Sequence, residues 1–509
     1  MRRTALLVAA AVLLLPSGGI SAQDGNPAPA DADSNAPNVV VVMTDDQRYD
    51  DMAGMPRTKR VIGSAGVTFK RAFVSYPVCC PSRATFLTGQ YAHNNHVICL
   101  YRACGGGYTA LRQDEYLPVW MERAGYVTAH IGKFLNGYGK DRAPDKPKGW
   151  TDWEGLIDHS TYRMWGYSIF DNDHRVTYGK VRSEDPRLYQ TDVLTKRALE
   201  FIGNRAGGDK PFFLSLAYLA PHHESGRTQA LTGKLVRPAP RHRGAYAGVP
   251  LPPMPAYNEA DVSDKPSFLP RFNPPLRSKR QDAILKRFHE RRESLLAVDE
   301  GVQKIVRKLR DMGELENTYV IFTSDHGFMQ GEHRIPQGKM EPYDPSTQVP
   351  LLIRGPGLPH GRSTRALVGN MDLAPTILSA TRATSPFRLD GRSILPYARN
   401  VHLRNLRPLL HETVGQGAHG RTNTREGGTK GTQPRVPAWA AVRTTRWLYV
   451  EYQGGQRELY NLTRDRYQLN SVVDDPRRRR ETRTLRRILQ DLKSCRGRRC
   501  DKLASAAVG

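Results

Sequence analysis

The apolar residues of this chain come mostly in short unbroken runs. Residues 38–43 read Asn-Val-Val-Val-Val-Met. β-Branched side chains at successive positions, with no polar alternation, predict a strand buried on both faces, as in a parallel sheet covered by helices. Further runs predict strands over 126–131, 211–219, 318–323 and 348–355. Helices are predicted over 81–87, 115–124, 188–204 and 372–380. The longest helical pattern is 281–312, with Leu285, Phe288, Leu295, Leu296, Val298, Val302, Ile305, Val306 and Leu309 on one face. Strands alternating with helices predict an α/β fold, a large and mostly parallel central sheet flanked by helices.

Beyond about Gly391 the pattern changes. Short segments over 408–412, 438–443, 447–452 and 458–461 predict a small antiparallel sheet, and 481–493 a basic helix able to pack on it. This divides the chain into a large unit over 38–390 and a smaller C-terminal subdomain over 391–509. Residues 138–189 have weak periodicity and are expected to form loops and short strands near a substrate entrance. Residues 224–279 are Pro-rich and basic, and are expected to form a long ordered loop over the site. Residues 415–435 are expected to be a mobile loop.

Composition narrows the class. At 509 residues the chain has room for one large α/β unit and a small one. An apolar fraction of 39% suits a globular protein. The net charge of +26 favours anionic partners, and no nucleic-acid-binding motif accompanies it. Arg2 and Arg3 precede an apolar run over 5–15, then small residues at Ser21 and Ala22. This reads as a secretory signal peptide over 1–22, followed by a disordered linker over 23–37. A secreted protein with no stable membrane insertion is expected. Six cysteines in an exported chain suggest disulfides. Cys495 is expected to pair with Cys500. Cys99 with Cys104 is the next choice, leaving Cys80 free, and pairing of Cys80 with either stays open.

The chemistry-bearing residues fall where these elements end. The first strand runs into Asp45-Asp46, the 318–323 strand into Asp325-His326, and the 211–219 strand into His222-His223. The 126–131 strand runs into Gly132-Lys133, with Asn136 just beyond. Parallel sheets bind ligands at the carboxyl ends of their strands. An adjacent Asp pair ordinarily caps a helix or sits in a solvated loop. Two such carboxylates beside a nucleophile point to a hard metal ion. The candidate nucleophile is Cys79 in Cys79-Cys80-Pro81-Ser82-Arg83, placed just before a helix whose first turn suits Pro81. Orphan N–H groups there favour a nucleophile or an anion, and Arg83 lies one turn on. His222 is a candidate acid or base. His93 and His96 are candidates to line the site.

The run Cys79-Cys80-Pro81-Ser82-Arg83-Ala84-Thr85-Phe86-Leu87-Thr88-Gly89 resembles the first signature of the formylglycine-dependent sulfatases. The run Gly125-Tyr126-Val127-Thr128-Ala129-His130-Ile131-Gly132-Lys133 resembles the second. With the other strand-end residues in the same order, the resemblance runs from residue 38 to about 460. It is closest to secreted arylsulfatases and N-acetylglucosamine-6-sulfatases. It implies an alkaline-phosphatase-like sandwich. It implies that a separate formylglycine-generating enzyme oxidises Cys79 to an aldehyde, whose hydrate attacks sulfur and then releases sulfate by elimination. Asp45, Asp46, Asp325 and His326, with the modified Cys79, would hold one calcium ion. Asn is the usual residue at the last of these positions and His a variant. Arg83 and Lys133 would orient the gem-diol and sulfate, Lys339 would bind a sulfate oxygen, and His222 would protonate the leaving alcohol.

One departure bears on the base. Many sulfatases carry a histidine two or three residues after the lysine that Lys133 matches. Here Leu135 and Asn136 stand there. Asn136 is then expected to bind the intermediate, with His93 or His96 as the base. The expected activity is hydrolysis of sulfate monoesters on aryl or carbohydrate alcohols, the substrate being a sulfated small molecule or glycan. The alternatives are a phosphonate monoester or phosphodiester hydrolase of the same superfamily, and a non-catalytic binder of acidic polysaccharide.

Overall fold

The computed structural model describes residues 36–140, 143–205, 208–232, 235–415 and 436–503. The expected signal peptide, nearly all of the linker and nearly all of the 415–435 segment lie outside the described residues. In chain order the strands are β1 (Asn38–Thr44), β2 (Val67–Phe69), β3 (Ala72–Phe73), β4 (Val127–Gly132), β5 (Asp152–Leu156), β6 (Tyr167–Asp171), β7 (His174–Tyr178) and β8 (Phe212–Ala217). Then come β9 (Thr318–Ser324), β10 (Leu351–Arg354), β11 (Arg362–Thr364), β12 (Val368–Gly369), β13 (Leu409–Thr413), β14 (Trp439–Arg443), β15 (Trp447–Tyr452) and β16 (Arg457–Asn461).

Ten strands form the central sheet, in the order β11-β2-β10-β9-β1-β8-β4-β5-β6-β7. The inner strands β9, β1, β8, β4 and β5 are parallel, while β10, β6 and β7 run antiparallel to their neighbours. β1 shows why its sequence is unbroken. Val39, Val41 and Met43 enter the core on one face, and Val40 and Val42 enter the core on the other. All four valines are at most 1% exposed. Burial of each contributes about 1.5–3 kcal/mol relative to exposure, so no polar residue is tolerated in the run.

The Gln190–Arg205 and Ser278–Asp311 helices cover one face, through Leu194, Phe201, Leu295, Val302 and Val306 among others. The predicted face of the long helix is shifted slightly: Leu285 and Leu296 are half-buried, and Ile284 and Ala297 are buried instead. The Cys79–Thr88, Leu117–Arg123 and Leu373–Thr381 helices cover the other face. Residues expected as loops over 138–189 include β5, β6 and β7, which extend the sheet at one edge. The 224–279 stretch contains the short helices Gly226–Thr232 and Phe268–Phe272.

The strands β13-β14-β15-β16 form a separate antiparallel sheet, and the Arg479–Lys493 helix packs on it through Leu485, Ile488, Leu489 and Leu492. That core also takes Phe73, Tyr91, Leu367 and Met371 from the larger part of the chain. Cys99 pairs with Cys104 and Cys495 with Cys500, while Cys79 and Cys80 are free thiols and buried.

Candidate active site

The parallel register explains how residues far apart in sequence meet. Met43 on β1 lies beside Ala217 on β8 and Thr323 on β9, and Gly132 on β4 lies beside Ala217. All four strands therefore end at one edge, and the next residues of each chain segment leave the sheet together. Those residues are Asp45 and Asp46, Lys133, the segment leading to His222, and Asp325 and His326. Asp46 has φ 68°, an uncommon conformation for which Asp is one of the better-suited residues. The Cys79–Thr88 helix packs against the same edge. It starts at Cys79 itself, with Val78 as its cap, two residues earlier than its sequence suggests.

Cys79 sits at the centre. Its Sγ lies 3.1 Å from Lys339 Nζ, 3.2 Å from His326 Nε2 and 3.5 Å from Asp45 Oδ1. Lys133 Nζ pairs with Asp45 Oδ2, and Lys339 Nζ lies 3.0 Å from Asp46 Oδ1. Arg83 is committed to holding the site together. Its Nε donates to Asp325 Oδ2 at 2.8 Å, its Nη1 to the Lys133 carbonyl at 2.7 Å, and its Nη2 lies 3.8 Å from Asp45 Oδ2. Asp325 Oδ1 in turn accepts from the Asp46 backbone N–H at 3.2 Å.

The histidine orientations follow from their partners. His222 Nδ1 lies 2.6 Å from the His223 carbonyl, and His326 Nδ1 lies 2.9 Å from the Gly327 carbonyl. A carbonyl only accepts, so both Nδ1 atoms carry the proton. Both Nε2 atoms then turn a lone pair inward. Burial holds His222 below the ordinary histidine value, against the pull of Asp46 and Asp45, so its neutral form is favoured. For Asp45 and Asp46, burial alone would raise the pKa. The ammonium and guanidinium charges of Lys133, Arg83 and Lys339 around Asp45, and of Lys339 beside Asp46, work against it and favour the ionised carboxylates. Cys79 is pushed the other way, by burial and then by the Asp45 carboxylate. The unmodified thiol thus stays protonated and is a poor nucleophile.

The donor set fits a hard cation. Ligand-type atoms of Asp45, Cys79, Asp325 and His326 lie within 4.8 Å of one another, as do those of Asp45, Asp46, Cys79 and His222. Asp46 Oδ2 is buried, has no hydrogen-bond partner, and faces the unprotonated His222 Nε2 at 3.5 Å. Two lone-pair atoms turned toward each other in a buried site call for a cation between them or beside them. Three carboxylates with one imidazole suit calcium-type ligation by their oxygen count.

Three contributors carried no signal in the sequence. Tyr162, just beyond β5, accepts a hydrogen bond from Asn136 Nδ2 at 2.6 Å. Its ring lies 4.7 Å below Lys133 Nζ and 5.0 Å from the His222 ring. Arg291, on the long helix, donates to the Asp46 carbonyl at 2.6 Å and the Pro221 carbonyl at 3.3 Å, tying two strand ends together. Trp439, on β14, donates from Nε1 to the Met340 carbonyl at 2.7 Å. That pins the loop carrying Lys339, which bends through positive φ at both Gly338 and Met340.

The structure takes two predicted residues away from this cluster. His93 is held by Glu412 Oε1 at 3.1 Å and by the Cys495 carbonyl at 3.1 Å, both in the C-terminal part. His96 is exposed and ends a short helix in the left-handed conformation. The helix that carries them turns toward the C-terminal sheet, and neither is among the side chains that contact Cys79 Sγ.

The sulfatase family model matches residues 37–383. The N-acetylglucosamine-6-sulfatase of Capra hircus is 33% identical over 472 residues, covering 86% of this chain and 80% of that protein. The chain belongs to the sulfatase family. The arylsulfatase of Volvox carteri is also similar, at 31% identity over 91% of this chain and 75% of its own length. The fold matches the solved structure of BT4656 in complex with its substrate D-glucosamine-2-N,6-O-disulfate, with a TM-score of 0.72 at 21% identity, over 92% of this chain and 98% of that one. The sheet and its flanking helices are thus the alkaline-phosphatase-like fold of the sulfatases, and this sulfatase is a sulfuric ester hydrolase.

Proposed function

We propose that this sulfatase removes sulfate from carbohydrate alcohols, with 6-O-sulfated glucosamine as the leading substrate class. Relatives named for that sugar support the substrate class. The observation that carries the chemistry is the placement of Cys79 Sγ within 3.5 Å of Lys339, His326 and Asp45 together. We propose Cys79 as the site of formylglycine, and Asp45, Asp46, Asp325, His326 and the modified Cys79 as the residues holding one calcium ion. The hydrated aldehyde would supply the attacking oxygen, and the ion would neutralise charge on the carboxylates and the sulfate. Cys79 through Arg83 are all buried, so a formylglycine-generating enzyme could reach them only before the chain folds. The apolar run and small residues at the N-terminus support export. Among the described residues, no helix is long and apolar enough to cross a membrane.

The chain's own residues then divide the work. The three carboxylates are matched by three cations, Arg83, Lys133 and Lys339. With the carboxylates of Asp45, Asp46 and Asp325 holding a divalent cation, Lys133 and Lys339 would be able to meet an anionic substrate. Their ammonium groups face the sulfate oxygens where charge builds during S–O cleavage, in a site that excludes most water. Arg83 stays with Asp325 and Asp45 as an organiser. His222 stands 3.4 Å from Lys339 Nζ, which can hold a proton against Nε2 for delivery to the leaving alcohol. Asn136, anchored on Tyr162, keeps Oδ1 without a hydrogen-bond partner and is placed to meet a hydroxyl of the bound group.

The test is turnover of nitrophenyl sulfate and of N-acetylglucosamine 6-sulfate by protein coexpressed with the maturation enzyme, with Cys79→Ala as control and mass spectrometry of the residue-79 peptide. Turnover of both that disappears in the variant, with an aldehyde at position 79, is expected. Loss of activity confined to the sugar would overturn the substrate class. Full activity in Cys79→Ala would overturn the nucleophile.

A further inference from the structure

A second charged cleft opens at the same edge of the sheet. It has a volume of about 320 Å³ and lies between the ends of β2 and β11 and the β14–β15 turn. The register fixes its position. Leu351, at the start of β10, lies beside Thr323 near the end of β9, and Leu352 lies beside Thr68 on β2. Thr364 on β11 runs parallel beside Phe69. Lys70 and Arg71 after β2, and Arg365 after β11, therefore leave the sheet at the edge where Asp45 and Asp325 leave it. β2 is three strands from β1, so Arg71 lies roughly 14 Å along that edge from Asp45, at about 4.8 Å per strand. The wall nearest the metal-type cluster includes Arg48 and Asp50, a few residues on from Asp46.

The charges in this cleft do not balance. Two carboxylates line it, and both are already occupied. Asp344 accepts from Arg443 Nη1 at 2.6 Å and Nη2 at 2.9 Å, and also from Gln468. Asp50 accepts from Arg48 Nε at 2.8 Å and Nη2 at 3.0 Å. Lys70, Arg71, Arg365 and Arg466 line the cleft with no carboxylate partner among the described residues. Arg71 reaches only the Thr445 carbonyl, at 3.4 Å. Half-buried and faced by Arg365 and Arg443, its guanidinium is destabilised as a cation, and the opposing pull of Asp344, itself engaged by Arg443, does not offset this. An anion placed between Arg71 and Arg365 relieves that repulsion and gains charge-assisted hydrogen bonds from both.

We propose that this cleft binds a second sulfate or carboxylate group of the glycan whose sulfate ester is cleaved at Cys79, so that the preferred substrate is an oligosaccharide carrying more than one anionic group. The proposal rests on the carbohydrate reading above. The spacing is what requires an oligomer, since one sugar ring cannot place anions at both sites. An aryl sulfate reaches only Cys79 and its neighbours, and is indifferent to the cleft.

The experiment compares matured wild type, the double variant Lys70→Ala/Arg365→Ala and Arg71→Ala. Lys70 and Arg365 are exposed, so the double variant leaves the core untouched. Each is assayed on nitrophenyl sulfate and on a sulfated tetrasaccharide with 6-O-sulfated N-acetylglucosamine at its non-reducing end. The expected result is unchanged nitrophenyl sulfate kinetics, with KM for the tetrasaccharide raised about ten-fold or more as charge-assisted contacts are lost. Its salt dependence should also flatten, because fewer charges are screened. If wild type and variants handle the tetrasaccharide alike, the cleft proposal fails and the carbohydrate reading stands. If wild type hydrolyses nitrophenyl sulfate but neither binds nor cleaves the tetrasaccharide, both fail.

Discussion

His326 Nε2 stands 3.2 Å from Cys79 Sγ, while its Nδ1 donates to the Gly327 carbonyl. The ring is thus fixed with a lone pair toward the cluster, as a metal ligand requires. An amide oxygen offers the same cluster a neutral donor. His326→Asn is therefore expected to keep calcium-dependent turnover within about ten-fold of wild type. His326→Ala, which removes the donor, should weaken calcium binding about 100-fold or more, since even residues that merely support a ligand cost 10–100-fold. Calcium titration of both variants, read by turnover and by melting temperature, decides this.

The proximity of Asp45, Asp46 and Asp325 implies a stabilising cation. Adding calcium to chelator-treated protein should raise the melting temperature, by an amount that grows with the logarithm of calcium concentration. At one hundred times the dissociation constant the gain is about 2.7 kcal/mol. Asp46→Asn should lose most of that shift, because Asp46 Oδ2 has no other hydrogen-bond partner to satisfy. A melting temperature indifferent to calcium in wild type would count against the metal site.

Lys339 and His222 should separate by leaving group. Lys339 faces Cys79 and Asp46 directly, so Lys339→Ala is expected to lower kcat by about 10²–10³ on any sulfate ester. Arg should not restore it, because a planar guanidinium does not match the ammonium's compact geometry. His222→Ala should cost about 10²–10⁴ on a sugar sulfate, whose alkoxide needs a proton, and far less on nitrophenyl sulfate, whose phenolate leaves unaided. Equal losses on both substrates would remove His222 from proton delivery.

The His93–Glu412 pair links the early helix to the C-terminal sheet and should make that joint sensitive to pH. Burial alone would lower the His93 pKa, but its hydrogen bond and charge pairing with Glu412 outweigh burial and raise it above 6.5. The folded state then holds the proton more tightly than the unfolded chain. The pair's stabilisation is complete below about pH 6.5 and is lost as pH rises through the elevated folded value. His93→Gln should flatten the melting-temperature profile across that window, with turnover at fixed pH little changed. A profile identical to wild type would show that the pair carries no proton linkage.

Much of the centre was legible before folding is considered. Val39 to Val42 announced a two-sided strand, and the Asp45, Lys133, His222 and Asp325 positions followed because each ends a run of that kind. Polar residues at the end of a buried strand have few other places to be. Lys339 was legible by resemblance, not by pattern, since it sits in a loop without periodicity. His93 and His96 misled because nothing local says which way a short helix turns. Only Glu412 and Cys495, more than three hundred residues later, show that it turns toward the C-terminal sheet. Tyr162, Arg291 and Trp439 were invisible for the same reason: each reaches the site across a contact between distant segments.

The chain's order of strands and helices, the chemical types at the strand ends and the Cys79–Arg83 segment were determined by the sequence alone, because each depends on neighbours within a few residues. The tertiary structure decided which histidines face the site, which disulfide leaves Cys80 free, and how the 70–71 and 365 turns share an edge with Asp45. Those are questions of strand order and register, and strand order is set by packing of the whole sheet, not by any one strand's residues.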